Sequence, residues 1–287
     1  MLTLPDAMVE QRRLATKKVM ATRRQLAYLV QSMLAGSFIG VAVVLMVSAA
    51  GPLLAAGSPW TPLVQGLVFG IALSLVVFAG GELATSNMMI LTQGALGGSI
   101  HWARASGTLV FSFVGNLAGS LTFAVMVHQT GLLAPGTPAG EMIAWMLEKK
   151  AHETSGQLFW RGVLCNMLVC LAVWAGARMR SEAGRLIMIF WCLLAFITSG
   201  FEHVVANMTT FGLGLVGGLG TTWADLGENM LMVGLGNLVG GAIIVGAGYA
   251  IAAGRPKVAE GTTPAASALA DRAQVRRPAS LRDVEVA

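Results

Sequence analysis

The sequence predicts an all-α integral membrane protein. Six transmembrane helices form two inverted three-helix repeats whose second and fifth helices are broken, an aquaporin-like architecture. Three observations carry this. Of 287 residues, 55% are hydrophobic and 11% charged, with mean hydropathy +0.70, whereas about a quarter of a soluble domain is charged. Two short signatures recur at nearly one spacing. Glu82-Leu83-Ala84-Thr85-Ser86-Asn87-Met88 aligns with Glu202-His203-Val204-Val205-Ala206-Asn207-Met208 at an offset of 120, and Gly115-Asn116-Leu117-Ala118-Gly119 aligns with Gly236-Asn237-Leu238-Val239-Gly240 at an offset of 121. One duplication explains both. Finally, Gly80-Gly81 and Ser199-Gly200 interrupt apolar runs too long for single spans, each just before a Glu signature. Irregular backbone at membrane depth is tolerated only inside protein or along a water-lined cavity.

Taken in order, residues 1–25 form a basic cytoplasmic segment with Arg12, Arg13, Lys17, Lys18, Arg23 and Arg24, read as a topology signal with snorkelling side chains. The first span covers about 26–50 and is ended by Gly51-Pro52. The second, about 61–94, is the first broken segment. After a loop with His101 and Arg104 comes the third span, about 108–128. Residues 129–156 form an outer loop with a short amphipathic stretch running to Lys149-Lys150. The fourth span, about 157–177, holds Arg161 and Asn166; the fifth, about 186–216, is again broken; the sixth is about 230–252. This gives a six-helix domain over 26–253 with repeats at about 26–130 and 157–252. Residues 254–287, rich in Pro, Ala and Ser with scattered charges and no large hydrophobic cluster, read as a disordered cytoplasmic tail. Cys165, Cys170 and Cys192 lie in apolar runs and read as core residues.

Lys and Arg set the orientation. The N-terminal segment has six, the 101–107 loop one, the 178–185 turn three and the tail six, against Lys149, Lys150 and Arg161 opposite. The basic side is cytoplasmic, and both termini lie there. Most of the net charge of +5 sits in the terminal segments, which argues against nucleic acid as a partner. Three spans per half insert the halves upside down relative to each other, and inverted repeats with a broken helix in each half are a transport architecture.

The broken helices hold the candidate site. Half-helices starting near Glu82 and Glu202 would aim N–H groups at the midplane and suit an anion. The two glutamates are expected to accept from backbone N–H groups freed by the breaks, with Asn87 and Asn207 as structural companions. Asn116 and Asn237 either satisfy opened backbone or line a polar path. His203 has Leu83 as its counterpart, so symmetry does not demand it. It is open to two roles, exchanging a proton with a weak acid or donating a hydrogen bond to an anion, with Thr85 fixing its orientation. Lys150 and Arg161 either draw anions to the outer mouth or anchor at the interface.

The Gly80–Asn87 and Gly200–Met208 stretches, Gly236-Asn237-Leu238-Val239-Gly240-Gly241, and the run from Arg161 through Cys165-Asn166-Met167 to Trp174 resemble the formate/nitrite transporter family over about residues 25–252. The resemblance implies a homopentamer in the bacterial inner membrane, each protomer with its own pore for small monovalent anions. It makes His203 the central pore histidine and Thr85 its hydroxyl partner. Lys150, Asn166 and Asn237 match polar positions near the outer vestibule, while Phe69 with Phe196, and Leu73 with Leu83, match apolar constrictions on either side of the histidine. Where the family commonly has a bulky aromatic this chain has Ala84, which implies a wider or differently filled inner constriction. The stretches Trp191–Phe196 and Asn207–Thr209 are most similar to the nitrite branch, with formate and hydrosulfide branches sharing the core motifs. The expected cargo is therefore a weak-acid anion with protons, in contact with lipid, and no enzyme activity, cofactor or metal is expected. A water channel would carry paired Asn-Pro-Ala signatures, which are missing. A membrane haem protein would need two histidines facing at matched depth, and His128 and His203 lie at different depths.

Overall fold

The computed structural model describes residues 1–254, so the tail expected from residue 254 lies, beyond Gly254, outside the described residues. Among the described residues every regular element is helical. The basic N-terminal segment is a helix, α1 (Leu4–Ala21). Thr3 caps it by accepting from the Asp6 N–H, and Pro5 occupies its first turn, where a missing N–H costs nothing. Ala7, Met8, Ala15 and the stem of Lys18 are buried, so α1 packs on the body of the protein instead of lying free on its surface.

Helix α2 (Gln25–Ala55) runs five residues past its expected end. Pro52 sits in its last turn, and Gly51 allows close approach to the helix that begins at Pro138, since a Cβ there would lie 2.4 Å from the Pro138 carbonyl oxygen. The chain stops being helical at Gly57, whose φ of 64° suits glycine. Helices α3 (Thr61–Phe69) and α4 (Ile71–Ala79) meet at Gly70; α5 (Ala84–Leu96) and α6 (Trp102–Gln129) complete the first half. The second half has α7 (Pro138–Ala151), α8 (Ser155–Arg178), α9 (Glu182–Thr198), α10 (Val204–Gly217) and α11 (Trp223–Leu238). The last continues into a π-helical stretch (Val239–Ala247) and α12 (Gly248–Ala252).

Five helical stretches are long and apolar enough to cross a membrane: Gln25–Ala55, Thr61–Ala79, Trp102–Gln129, Ser155–Arg178 and Trp223–Ala252. The remaining expected segment is divided into α9 of 17 residues and α10 of 14. Both expected breaks are present. Gly80 (φ 86°) ends α4 and α5 begins at Ala84; Gly200 (φ 71°) follows α9 and α10 begins at Val204. The three cysteines are free and buried.

Two equivalent crossings hold each half together, α6 on α2 and α11 on α8, and the Gly-Asn-Leu-x-Gly signature explains both. A Cβ at Gly119 would stand 2.0 Å from the Met33 carbonyl oxygen; at Gly236 and Gly240 it would stand 2.1 Å from those of Phe159 and Val163. Backbone meets backbone there, the close approach that small residues permit in lipid. Adding a methyl group at Gly119 or Gly240 forces the helices apart, so Gly119→Ala and Gly240→Ala should each destabilise the protein by about 1–3 kcal/mol. Thermal unfolding of the detergent-solubilised variants, beside Gly107→Ala where a Cβ meets nothing, checks this.

Candidate functional site

At each break the polypeptide leaves the helix for a few residues and exposes backbone groups that need partners. The sequence assigns that task to Glu82 and Glu202, and the structure assigns it to the signature asparagines. Asn116 Oδ1 accepts from the Ala84 N–H at 2.8 Å, while its Nδ2 donates to the Ser32 and Glu82 carbonyls at 2.7 and 2.9 Å. Asn237 repeats this with the Val204 N–H at 2.9 Å and the Gly162 and Glu202 carbonyls at 2.8 and 2.9 Å. A primary amide suits the job because it donates and accepts at once, which a carboxylate does not. The Glu82 N–H reaches the Gln31 carbonyl, and that of Glu202 the Arg161 carbonyl.

The glutamates instead hold cations. Lys18 Nζ donates to Glu82 Oε2 at 2.6 Å, and Lys150 Nζ to Glu202 Oε2. Asn87 and Asn207 donate to the same carboxylates, at 3.4 and 2.6 Å, as the companions the sequence suggests. The two lysines lie in the last turns of α1 and α7, so each broken helix has its glutamate paired with a lysine from a preceding helix. Lys18 was legible only as a topology signal, since nothing in sequence links residues 64 apart.

His203 caps α10. Its Nδ1 accepts from the Ala206 N–H at 3.2 Å, and its Nε2 lies 3.0 Å from Thr85 Oγ1. With Nδ1 accepting, the ring proton sits on Nε2 and points at the threonine oxygen. This leaves the Thr85 hydroxyl proton without a protein acceptor among the described residues. Both side chains are buried, and His101, His128 and His152 are exposed. The His203–Thr85 contact joins the two halves across their breaks, as expected from the sequence.

A vestibule of about 210 Å³ leads to His203 from the α7 side, lined among others by Trp145, Lys149, Lys150, Arg161 and Glu202. Arg161 is paired with Glu153 and Lys150 with Glu202. Lys149 forms no ion pair among the described residues and stands 5.3 Å from the centre of the Trp145 ring. On the other side of His203 is a cavity of about 10 Å³, lined by Phe69, Leu73, Leu83, Val169, Phe196 and His203, with Ile39, Ala72 and Leu193. That is about the least space one water needs. Phe69 and Phe196 face both spaces, their rings edge to face with centroids 5.9 Å apart, and Phe196 stacks on His203 at 6.1 Å.

The four apolar constriction residues therefore gather around one dry slit. Ala84 does not join them. Leu83 lines the slit and Thr85 meets His203, whereas Ala84 between them is fully buried and lines neither space. Asn166 and Asn237 do not line the vestibule as the resemblance implied. Asn237 is spent on the α10 break, and Asn166 Nδ2 bridges the Asn237 carbonyl at 2.7 Å and the Thr85 carbonyl at 3.2 Å. Asn166 thus places Thr85 against His203. The slit walls from Ile39, Ala72, Val169 and Leu193 were missed, being indistinguishable in sequence from ordinary core residues.

Removing one partner of a buried ion pair strands the other charge, a loss of about 3–5 kcal/mol. Lys18→Met alone should show such a loss in thermal unfolding, and Lys18→Met with Glu82→Gln should recover most of it; a double variant as unstable as the single one would mean the lysine acts through packing.

The sequence profile of the family described as "Formate/nitrite transporter" matches residues 6–251. The chain is 40% identical over 235 residues to the nitrite transporter NirC of Escherichia coli (strain K12), covering 80% of this chain and 85% of that protein. Among solved structures it is similar to an "FNT family ion channel" with TM-score 0.81 and 36% identity, covering 88% of this chain and 99% of the other. A "Pentameric formate channel with formate bound" matches with TM-score 0.68 and 29% identity, over 81% and 98% of the two chains.

Proposed function

This chain belongs to the formate/nitrite transporter family, and on that premise we propose that it is a channel for small monovalent anions of weak acids, nitrite foremost. The observation that carries the reading is the dry slit beside His203, closed by Phe69, Phe196, Leu73 and Leu83, with His203, itself bonded to Thr85, as the polar side chain in its wall. An ion losing its water there without a partner faces a penalty of several kcal/mol even after the protein relaxes. Nitrite, formate and hydrosulfide escape it by crossing with a proton, as the neutral acid. Chloride, the conjugate base of a strong acid, does not. The 40% identity to a nitrite transporter favours nitrite; formate and hydrosulfide are the alternatives within the same chemistry.

His203 has two possible roles, and the resting hydrogen bonds favour one. To pass on a proton the imidazole must first gain a second one at Nδ1, where the Ala206 N–H already points. A neutral ring offers Nε2–H to the arriving anion without disturbing that cap, with the Thr85 hydroxyl beside it. In this reading the histidine lowers the barrier for the anion, and a relay operates only if the cap opens. We expect His203→Asn to slow nitrite flux several-fold while the number of protons carried per nitrite stays the same, and chloride to remain excluded. Proton uptake recorded alongside nitrite flux in wild-type and mutant vesicles checks this; lost proton coupling in the mutant would make the ring the relay.

The two halves are proposed to be inserted upside down relative to each other, with α1 and both termini on the cytoplasmic side of a bacterial inner membrane and the Lys149 vestibule outside. The excess of Lys and Arg near α1 and the 178–185 turn supports this. Lys149→Cys should react with an impermeant thiol reagent in intact cells, against a low background because the native cysteines are buried; protection of that position would reverse the orientation. The pentameric neighbour supports a homopentamer in lipid, one pore per protomer.

A further inference from the structure

If the anion crosses as its acid, a proton must join it before the slit, and the capped ring of His203 is poorly placed to give one. The wall of the vestibule offers another group. A second cavity, of about 460 Å³, lies behind α7 and is acidic, lined among others by Glu148, Asp225, Glu228, His152 and Asn229. Lys150 and Glu153 line both this cavity and the vestibule. The Glu153 side chain is only 7% exposed. Its Oε1 accepts from Arg161, while its Oε2 is buried with no hydrogen-bond partner.

A carboxylate oxygen buried without a donor is costly, and a protonated one supplies its own O–H. Burial raises the Glu153 carboxyl above its ordinary value, and neighbouring Glu202 adds to the rise, against Arg161, Lys150 and Lys149. The charged and titratable groups around it come from every neighbouring element. They are Glu148, Lys149, Lys150 and His152 from α7 and its end, Arg161 from α8, Glu202 and His203 from the break before α10, and Asp225 and Glu228 from α11. The second cavity also reaches that break directly: Asn229 lines it with an unpartnered buried Nδ2, and its Oδ1 accepts from Asn207, which in turn donates to Glu202.

We propose that Glu153 loads the proton: it takes one from water in the acidic side cavity and delivers it to the anion waiting in the vestibule beside Lys149. In the step, the Glu153 O–H bond breaks and the proton bonds to an oxygen of nitrite. The neutral acid moves toward the slit, and the carboxylate left behind forms an ion pair with Arg161 until a hydronium ion in the side cavity returns a proton. The inference rests on the weak-acid reading of the pore. A raised carboxyl stays loaded to higher pH than an ordinary glutamate and loses its proton as pH rises through its shifted value, so the loaded fraction, and with it the flux, declines over that range.

The test is nitrite flux, with protons counted, in vesicles across a series of pH values on the Lys149 side. Glu153→Gln keeps size and hydrogen bonding but cannot cycle a proton. It should run at least fivefold slower than wild type near neutral pH, with the Glu153-dependent part of the pH profile gone. Glu153→Asp should keep a pH-dependent flux, displaced toward lower pH as the smaller acid's ordinary value is lower. A Glu153→Gln variant with the wild-type rate and profile would overturn the proposal, as would a Glu153→Asp variant as slow and flat as Glu153→Gln. Should Glu153→Gln not assemble, Glu153→Asp decides alone: a displaced profile supports proton loading and an unmoved one refutes it. Wild-type vesicles that pass no nitrite, or pass it without protons, would instead sink the weak-acid reading itself.

Discussion

Everything in this protein depends on finding partners for the backbone at two broken helices, in a place where water is not available to help. Each break frees N–H and carbonyl groups, and an unsatisfied one in the apolar interior costs several kcal/mol. One asparagine per half answers this, Asn116 for α5 and Asn237 for α10, each with one accepted and two donated hydrogen bonds to backbone. The amide reaches the break only because the helix carrying it lies against its neighbour with no side chain between them. The glycines flanking each asparagine are therefore part of the same device, and small residue, amide and break form one unit.

The halves share this unit, and the candidate pore chemistry lies where they differ. Position 83 is Leu and its counterpart 203 is His; position 85 is Thr and its counterpart 205 is Val. One diagonal across the breaks is thus polar, His203 to Thr85, and the other apolar, Leu83 to Val205. A third difference supports the first two. The backbone bonds of Glu82 and Glu202 to residues 31 and 161 match Gly36 with Asn166. Gly36 packs directly on the Asn116 carbonyl, whereas Asn166 bonds the Asn237 carbonyl and reaches Thr85. The repeated signatures close both breaks alike, and three differences between them place a hydrogen-bonding pair beside an apolar slit.

Charge follows the same economy. Lys18 neutralises the half-buried Glu82 and Lys150 the buried Glu202, and Arg161 is held by Glu153. The vestibule consequently presents less positive charge than its lysines and arginine suggest, with Lys149 as its unpaired cation among the described residues. In the proposed mechanism a modest field of this kind draws a monovalent anion inward without holding it, as conduction requires. In the same mechanism, selection is then left to the slit, where the difference between a neutral acid and a bare ion is largest.

The sequence by itself determined the helical membrane class, the two recurring signatures and both glycine breaks, and it pointed to His203 with Thr85. These are properties of composition and local order: apolar run lengths, glycines with positive φ, and a motif repeated 120 residues on. It also named the apolar residues of the slit through resemblance. It did not determine who pairs with whom. The glutamates pair with Lys18 and Lys150, the asparagines take the backbone, Asn166 and Asn237 leave the vestibule, and Ala84 leaves the constriction. Each of those outcomes turns on groups brought within about 3 Å from positions about 30 to 85 residues apart. The crossing of α6 on α2 and of α11 on α8 decides which backbone groups each amide meets, and the packing of α1 and α7 decides which glutamate each lysine meets.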